Sequence, residues 1–360
     1  MSIYIASSPH ARIGKTTHQI MKEVILCLIP GILAQIYYFG WGNLIQIIWG
    51  VILCVTLEAA VLALRKQPIA FSLNDYSAAV TGVLLGIALP PFAPWWIMVI
   101  GAIFAIVIAK HIYGGLGHNI FNPAMIAYLV LLISFPVQMT SWMPVSTLQA
   151  TQQSWQDSFL LIFTHFNTAG FTVSQVQEVV HHTLMSGTPS SLDALTGATP
   201  LDAIKSSGKL GIDIKELVAS PVFTSLAGAG WQGVNIAFLL GGLLLLLRKT
   251  IMWYIPTAIL ISLIICATIG YLVNPQQYVG PIIHLLSGAT MLGAFFIATD
   301  PVSAATTNKG RLIYGVLIGI LIYLIRTLGN YPDAIAFSVV LANTCVPLID
   351  YYTIPRAYGR

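Results

Sequence analysis

Two short segments of this 360-residue chain carry the same letters. DALTGATPLD runs from Asp193 to Asp202, and LSGATMLGA runs from Leu286 to Ala294. The first sits in a polar stretch and the second inside an apolar one. A threonine hydroxyl in a polar stretch can accept a phosphoester if an enzyme can reach it. Asp193 stands six residues before Thr199, whereas the equivalent position before Thr290 is His284, inside or at the edge of an apolar run. Only the first segment therefore combines an acid with access. A plainer reading of the same residues has Thr196 or Asp193 capping a helix that begins near Pro200, since a hydroxyl or carboxylate at the cap and proline at the first helical position are favoured there. The two readings are compatible.

Other residues could carry chemistry. Asp300, in IATDPVSAATTNKG, ends a short apolar run. An acid at the mouth of a discontinuous membrane helix is a functional candidate, for a coupling cation among others. Equally, Asp-Pro is a helix stop. Thr299 and Asn308 are polar neighbours. Glu58 lies within an apolar run about two turns before Arg65, so it needs a partner or a route to water. Asn119, Asn122 and Pro123 lie in GGLGHNIFNPA, a Gly-rich turn whose backbone N–H groups could hold an anion at the start of the next helix. A purely structural turn has the same letters. His111, His118, His181 and His182 lack metal-ligand spacing. Cys27, Cys54, Cys266 and Cys345 each stand alone in an apolar run, so they read as small hydrophobes and not as ligands of an iron–sulfur or zinc site in this chain.

The elements that must position these residues follow from composition. The chain is 57% hydrophobic and 8% charged, against about 25% charged in an ordinary soluble domain. This predicts an integral membrane protein. The first residues, MSIYIASSPHARIGKTTHQIMKE, are polar and basic, without a short apolar core and small-residue cleavage site, so a cleaved signal peptide is not expected. Runs near the roughly 20 residues needed to cross a bilayer fall at 22–40, 44–64, 77–90, 95–110, 121–137, 220–247, 251–273, 283–299, 311–328 and 333–349. The runs at 77–90 and 283–299 are short, rich in small residues and end at proline. The Gly-rich start of 220–247 reads as a re-entrant or interfacial piece.

The net charge of +4 informs only once the charges are placed. With the N-terminus inside, the inner segments hold Arg12, Lys15, Lys22, Arg65, Lys66, Lys110, Arg248, Lys249, Lys309, Arg311, Arg356 and Arg360. The outer segments hold only Lys205, Lys209, Lys215 and Arg326. Positive residues gather on the cytoplasmic side of membrane proteins, which predicts cytoplasmic termini and an outward-facing stretch from about 138 to 219. The basic residues are thus accounted for without nucleic acid. Trp41, Trp95 and Trp96 suit an outer interfacial belt.

The chain also resembles itself. FNPAMIAYLVLL at 121–132 and NYPDAIAFSVVL at 330–341 match at an offset of 209. YSAAVTGVLLGIALPP at 76–91 and LSGATMLGAFFIATDP at 286–301 match at an offset of 210. Five spans per half make the second half inverted relative to the first, and paired short, Gly/Pro-interrupted helices in such repeats point to a site at the membrane midplane. On this reading Ser287–Thr290 packs the short helix of the second half, as Ala78 and Ala79 do in the first.

The pattern D-x-x-[ST]-x-A-T at Asp193–Thr199 resembles the flavin-attachment motif of two related membrane redox families. These are the D-type membrane component of the Rnf ion-translocating electron transport complex and the B-type membrane component of the sodium-pumping NADH:quinone oxidoreductase. SSPHARIGKTTHQIM, AKHIYGGLGHNIFNPAMIAYLVLLISFPVQMTSWMP, HLLSGATMLGAFFIATDPVSAATTNKGRLIYG and VPLIDYYTIPRAYG extend the likeness over essentially the whole chain. The short N-terminal extension and the continuation ATPLD are similar to the Rnf component in particular. Thr196 stands where serine is common.

The resemblance implies FMN joined through a phosphoester to Thr199, with Asp193 and Thr196 in the attachment motif. It also implies a second, noncovalent flavin such as riboflavin, whose pocket the sequence does not show; Asp300, Thr299, Asn308 and Asn122, singled out by their own chemistry, are the candidates for that flavin or for a coupling ion. Its implied partners are the other Rnf-type subunits, which would supply the iron–sulfur and nicotinamide sites, a flavin transferase and the lipid bilayer. The implied activity is electron relay between ferredoxin and NAD branches, coupled to Na⁺ or H⁺ movement across a bacterial inner membrane.

The expected architecture is all-α, with about ten transmembrane helices in two inverted five-helix repeats and short discontinuous helices. Its parts are a cytoplasmic segment at 1–21, a first repeat at 22–137, a periplasmic segment at 138–219, a second repeat at 220–349 and a cytoplasmic end at 350–360. The competing expectation is a non-redox small-solute channel of the urea-transporter type, which inverted repeats with short midplane helices would also suit.

Overall fold

The computed structural model describes residues 15–143, 145, 153–176, 199–210, 223, 227–329, 331 and 334–354. Helix α1 (Thr17–Phe39) and α2 (Gly42–Leu64) form a long antiparallel start. They are followed by α3 (Ile69–Leu73), the short α4 (Ser77–Ala88) and α5 (Trp95–Ala102), which continues in π-helical turns through Ile103–His111. Next come α6 (Pro123–Ser134), α7 (Pro136–Thr140), α8 (Trp155–Thr164) and α9 (Pro200–Leu210). The second half holds α10 (Trp231–Leu247), α11 (Tyr254–Val273), α12 (Pro281–Leu286), α13 (Thr290–Leu292, with π-helical turns over Gly293–Ile297), α14 (Asn308–Leu328) and α15 (Ile335–Thr353). Among the described residues there is no β-strand, only isolated bridges at Phe166–Thr172 and Phe223–Gly228. The molecule is an all-α membrane protein.

Among the described residues five helices, α1, α2, α11, α14 and α15, are long and apolar enough to cross a membrane. At 1.5 Å per residue, the 12 residues of α4 reach only about 18 Å of a hydrocarbon layer about 30 Å thick. Small residues make its packing possible. A Cβ added to Gly82 of α4 would lie 2.6 Å from the Gly50 carbonyl oxygen of α2, so the two backbones touch there. In the same way α1 meets α10 where Gly241 lies against the Cys27 carbonyl.

The helix ends follow local chemistry. Thr16 and Gln19 form a capping box at the start of α1. Lys15 pairs with Glu23 and donates to the Arg248 carbonyl at 2.8 Å, tying this end of α1 to the α10–α11 turn. Helices α2 and α10 both end in Arg-Lys pairs, and Lys66 and Lys249 take left-handed conformations that close the last turn. Between α5 and α6, Gly114, Gly115 and Gly117 all have φ near or above +90°. Side chains would be strained there, so glycine is what lets the chain turn back toward Asn122.

Several expected spans are corrected. Residues 121–137 break at Phe135–Pro136, where α6 gives way to α7, as expected for a proline that cannot donate to the preceding turn. In 220–247 the helix starts only at Trp231, after the non-helical Ala227–Gly230, in keeping with the expectation that the Gly-rich start is a separate piece. The run 283–299 is two pieces. Ser287 is extended and Gly288 has φ +62°, so the second GAT interrupts the helix and does not pack along it.

Candidate functional site

Thr199 lies immediately before α9, with Pro200 in the first helical position. Its carbonyl accepts from Ala203 N–H at 2.9 Å, and its Oγ1 accepts from Asp202 N–H at 3.3 Å. Thr199 is therefore itself the cap. This replaces the expectation that Thr196 or Asp193 caps this helix; those two residues lie outside the described residues. The Thr199 hydroxyl also donates to Asp202 Oδ2 at 2.6 Å. A carboxylate in that position can take the hydroxyl proton as the oxygen becomes a nucleophile. Asp202 was not singled out in the sequence, although it closes the DALTGATPLD segment.

Thr199 and Asp202 line a cavity enclosing about 880 Å³ of empty space counted out to its mouth. Most of the rest of the wall is apolar and aromatic, including Met125, Tyr128, Trp142, Trp231 and Phe238, with Gln35 and Thr140 as further polar side chains. Trp142 and Trp231 meet edge to face, with centroids 5.0 Å apart, and Phe39 backs both. Gln35, Ile87 and Ala88 bring the ends of α1 and α4 to the same wall, and Gly288 and Ala289 bring the second GAT. The two like segments thus face one cavity.

Buried polar side chains hold the broken helix open. Asn235 Nδ2 donates to the Leu286 and Gly288 carbonyls at 3.1 and 2.8 Å, and its Oδ1 accepts from Met291 N–H at 3.2 Å. Arg326 donates to the His284 carbonyl at 2.7 Å and to Thr290 Oγ1 at 2.9 Å. The Thr290 hydroxyl donates to the His284 and Ser287 carbonyls and is fully buried. It is therefore closed to an attaching enzyme, while Thr199 is half-buried at a cavity wall. Arg326, which the charge pattern placed in an outer segment, is 5% exposed and belongs to the interior.

A second cavity, of about 740 Å³ counted the same way, lies toward the other ends of α1 and α4. Ile20, Met21 and Val24 line it, whereas Gln35 lines the first, so the two are separated by at least about 16 Å along α1. Its polar wall is Ser77, Thr81, Lys110, Asn119, Asn122, Thr250, Thr299 and Asp300. Five of the sequence candidates, Asn119, Asn122, Pro123, Thr299 and Asp300, are thus together. Asn122, Thr299 and Asp300 each also have a local structural task. Asn122 caps α6 by accepting from Ala124 and Met125 N–H. Thr299 donates to the Phe295 carbonyl at 2.7 Å, and Asp300 accepts from the Ser303 hydroxyl at 2.7 Å. Asn308 is exposed outside this cavity, where Arg311 donates to it at 3.4 Å.

Lys110 is the residue that sequence reasoning missed. The charge pattern places it with the cytoplasmic cations, yet it is 1% exposed. Its Nζ lies 2.6 and 2.7 Å from the two carboxylate oxygens of Glu58, which is 2% exposed, and donates to Ser77 Oγ at 2.7 Å. Ser77 in turn donates to Asp75. Glu58 is therefore paired as required, but through Lys110 and not through Arg65; Arg65 instead contacts His111 at 3.4 Å. Each half of the chain thus sends a buried cation, Lys110 or Arg326, to the start of its short helix.

Comparison with known proteins decides the lineage. The NQR2, RnfD, RnfE family model matches residues 4–359. The chain belongs to this family. It is 55% identical over 360 residues, 100% of both chains, to a Vibrio atlanticus protein named as the D-type component of an ion-translocating oxidoreductase complex. It is equally 55% identical to a Vibrio cholerae protein of that name over 100% of both chains. An Erwinia tasmaniensis protein so named is 52% identical over 361 residues, 100% of this chain and 99% of the relative. As a family member aligned end to end, the chain carries Thr199 and both cavities within the matched region.

Proposed function

We propose that this chain is the flavin-carrying membrane subunit of an Rnf-type ion-translocating oxidoreductase, with FMN joined through its phosphate to Thr199 Oγ1. The observation that carries the proposal is a hydroxyl, hydrogen-bonded to a carboxylate, at the wall of an apolar cavity flanked by two tryptophans. Such a cavity suits a flat aromatic ring in its lining: ligand sites are mostly apolar, with a few placed polar groups. A bound flavin supplies one- and two-electron transfer, and the protein positions it. Asp202 would take the proton from Thr199 Oγ1 as a transferase moves the FMN phosphoryl group to that oxygen from a flavin dinucleotide, whose pyrophosphate P–O bond breaks and whose nucleoside monophosphate leaves. The N-terminal amides of α9 favour the phosphoryl anion. Trp142, Trp231 and Phe238 exclude water from the ring.

The relatives' name carries the remaining parts of the reading to this chain: other complex subunits as partners, and coupling of electron transfer to ion movement. The second cavity, with Asn122, Thr299 and Asp300, is the place for a second, noncovalent flavin such as riboflavin or for a coupling ion. The ten-span inverted repeat remains part of the proposal. Adding 210 to the bounds of α2 and α4 gives 252–274 and 287–298, which contain α11 and α13 with its π-helical continuation. The charge distribution supports cytoplasmic termini in a bacterial inner membrane and a periplasmic 138–219 segment. It does so even with Lys110 and Arg326 removed from the count, because Lys205, Lys209 and Lys215 are then the only outer cations.

The test is peptide mass of the chain co-produced with a flavin transferase, beside Thr199→Val. An FMN-phosphoryl mass on the Thr199 peptide, absent from the variant, is expected. An unmodified peptide with an active transferase would overturn the assignment and bring back the channel reading.

A further inference from the structure

We infer that Gln35 is the residue that recognises the isoalloxazine ring in the threonine cavity, its side-chain oxygen accepting the ring's N3–H. This deepens the flavin reading and rests on it for the identity of the ligand. Gln35 lies in α1, is 3% exposed and lines the cavity. Its amide orientation is set by a neighbour. Nε2 donates to the Ile87 carbonyl at 3.3 Å, one of the carbonyls that the last turn of α4 leaves without an intrahelical partner. The donor end is therefore engaged. Among the described residues nothing donates to Oε1, which is buried. A buried acceptor without a donor costs about 1–3 kcal/mol. On a residue that lines a mostly apolar wall, whose other polar side chains are Tyr128, Thr140, Thr199 and Asp202, it is the acceptor that a ligand N–H would satisfy.

The isoalloxazine ring carries N3–H in every redox state, whereas N1–H and N5–H appear only on reduction. An acceptor that must be satisfied in the resting, oxidised protein needs N3–H. The fused aromatic rings would then lie against Trp142, Trp231 and Phe238, and the ribityl phosphate would lead to Thr199, which lines the same cavity. Gln35 is thus a binding and positioning residue. It holds one edge of a ring whose other attachment is the flexible ribityl chain.

Lumiflavin, the ring without its ribityl phosphate, and 3-methyl-lumiflavin, which lacks the N3 hydrogen, isolate this contact. Binding of both is measured by fluorescence quenching on the full-length chain in nanodiscs, produced without transferase so that Thr199 is bare. The parent should bind lumiflavin about three- to tenfold more tightly than the methylated analogue, the range of one net hydrogen bond. Gln35→Met, similar in length and without the amide, should lose that preference. Gln46→Met should keep it: Gln46 is another buried amide, with Nε2 on the Ala93 carbonyl and an unpartnered oxygen, but it does not line the cavity. No preference in the parent, or an undiminished one in Gln35→Met, overturns the inference. The parent comparison needs no variant, so a misfolded Gln35→Met leaves it decisive. Peptide mass of the chain co-produced with transferase separates the two ideas: no adduct with the preference intact removes Thr199 and leaves Gln35 standing.

Discussion

Replacing Thr199 perturbs two things at once, because the hydroxyl proposed to carry FMN is also the cap of α9. Thr199→Val removes both. It loses the Oγ1 that accepts from Asp202 N–H, and losing such a cap costs about 1 kcal/mol, within a range of about 0.5–2. For local opening of one helix end, 1 kcal/mol is about a fivefold change in the exchange rate of the protected amides. Thr199→Asn separates the roles. Asparagine caps at least as well as threonine but offers no hydroxyl to esterify. In the unmodified chain, the Asp202 and Ala203 amides should exchange about fivefold faster in Thr199→Val and within about twofold of the parent in Thr199→Asn. With transferase present, the FMN-phosphoryl mass should be absent from both and present in Thr199→Ser. If Thr199→Asn exchanges as fast as Thr199→Val, the cap assignment is wrong. If the Asn variant still carries the adduct on this peptide, the attachment lies on another residue and the reasoning from Oγ1 fails.

Other outcomes follow from the buried polar groups. Glu58→Gln or Lys110→Met alone leaves a charge in the interior and should cost about 3–5 kcal/mol in mixed-micelle unfolding, while Glu58→Met with Lys110→Met should recover most of that loss; additive losses would mean that the pair is not coupled. Asn235→Leu removes two hydrogen bonds to the helix-break carbonyls and one from Met291 N–H. At about 1 kcal/mol each it should cost about 3 kcal/mol, and iodide should then quench bound flavin more readily because the break walls the cavity. Unchanged stability and quenching would remove Asn235 from that role. The Ser154 hydroxyl, then the Thr168 hydroxyl and amide, lower the Asp157 carboxyl to about 2 from its ordinary 3.8. A depressed acid stabilises the fold above its unfolded pKa, and that contribution is lost as pH falls through the folded value. Amide protection across 154–172 should therefore be constant above pH about 4 and decline toward pH about 2; Asp157→Asn should flatten that decline, and a profile it leaves unchanged would point to another group.

The long helices were legible because a membrane core demands unbroken apolar length. The run predicted at 44–64 is α2 at Gly42–Leu64, and the run at 251–273 is α11 at Tyr254–Val273. Short runs were legible as short and discontinuous, but not by where they break. Nothing in the letters SGAT distinguishes close packing from a helix interruption, since glycine serves both. The buried cations were misplaced for a related reason. A lysine or arginine at the end of an apolar run looks the same whether its stem snorkels outward or turns in. What turns Lys110 inward is Glu58, 52 residues away, and what turns Arg326 inward is a set of carbonyls at a break that the pattern did not reveal. Thr199 was legible as accessible and next to a helix start. That it shares a wall with Gly288 was not, because that closeness exists only after folding.

These departures have a common cause in the ends of the short helices. A helix that stops inside the membrane leaves amides and carbonyls where water cannot satisfy them. Gln35 serves the end of α4, Asn235 and Arg326 serve the break before α13, and Lys110 reaches Ser77 at the start of α4. Both cavities open beside those ends. Asn235 uses both ends of its amide on the backbone, whereas Gln35 and Asn119 use only the donor end. Gln35 lines the threonine cavity and Asn119 the second cavity, and neither Gln35 Oε1 nor Asn119 Oδ1 has a donor among the described residues. A chain that only needed to fill a membrane could have avoided such acceptors by running its helices through. Shortening two of them creates both the space for a ligand and the few hydrogen-bonding groups that orient it, so the sequence features that weaken α4 and α13 as spans are the ones that make them walls of a site.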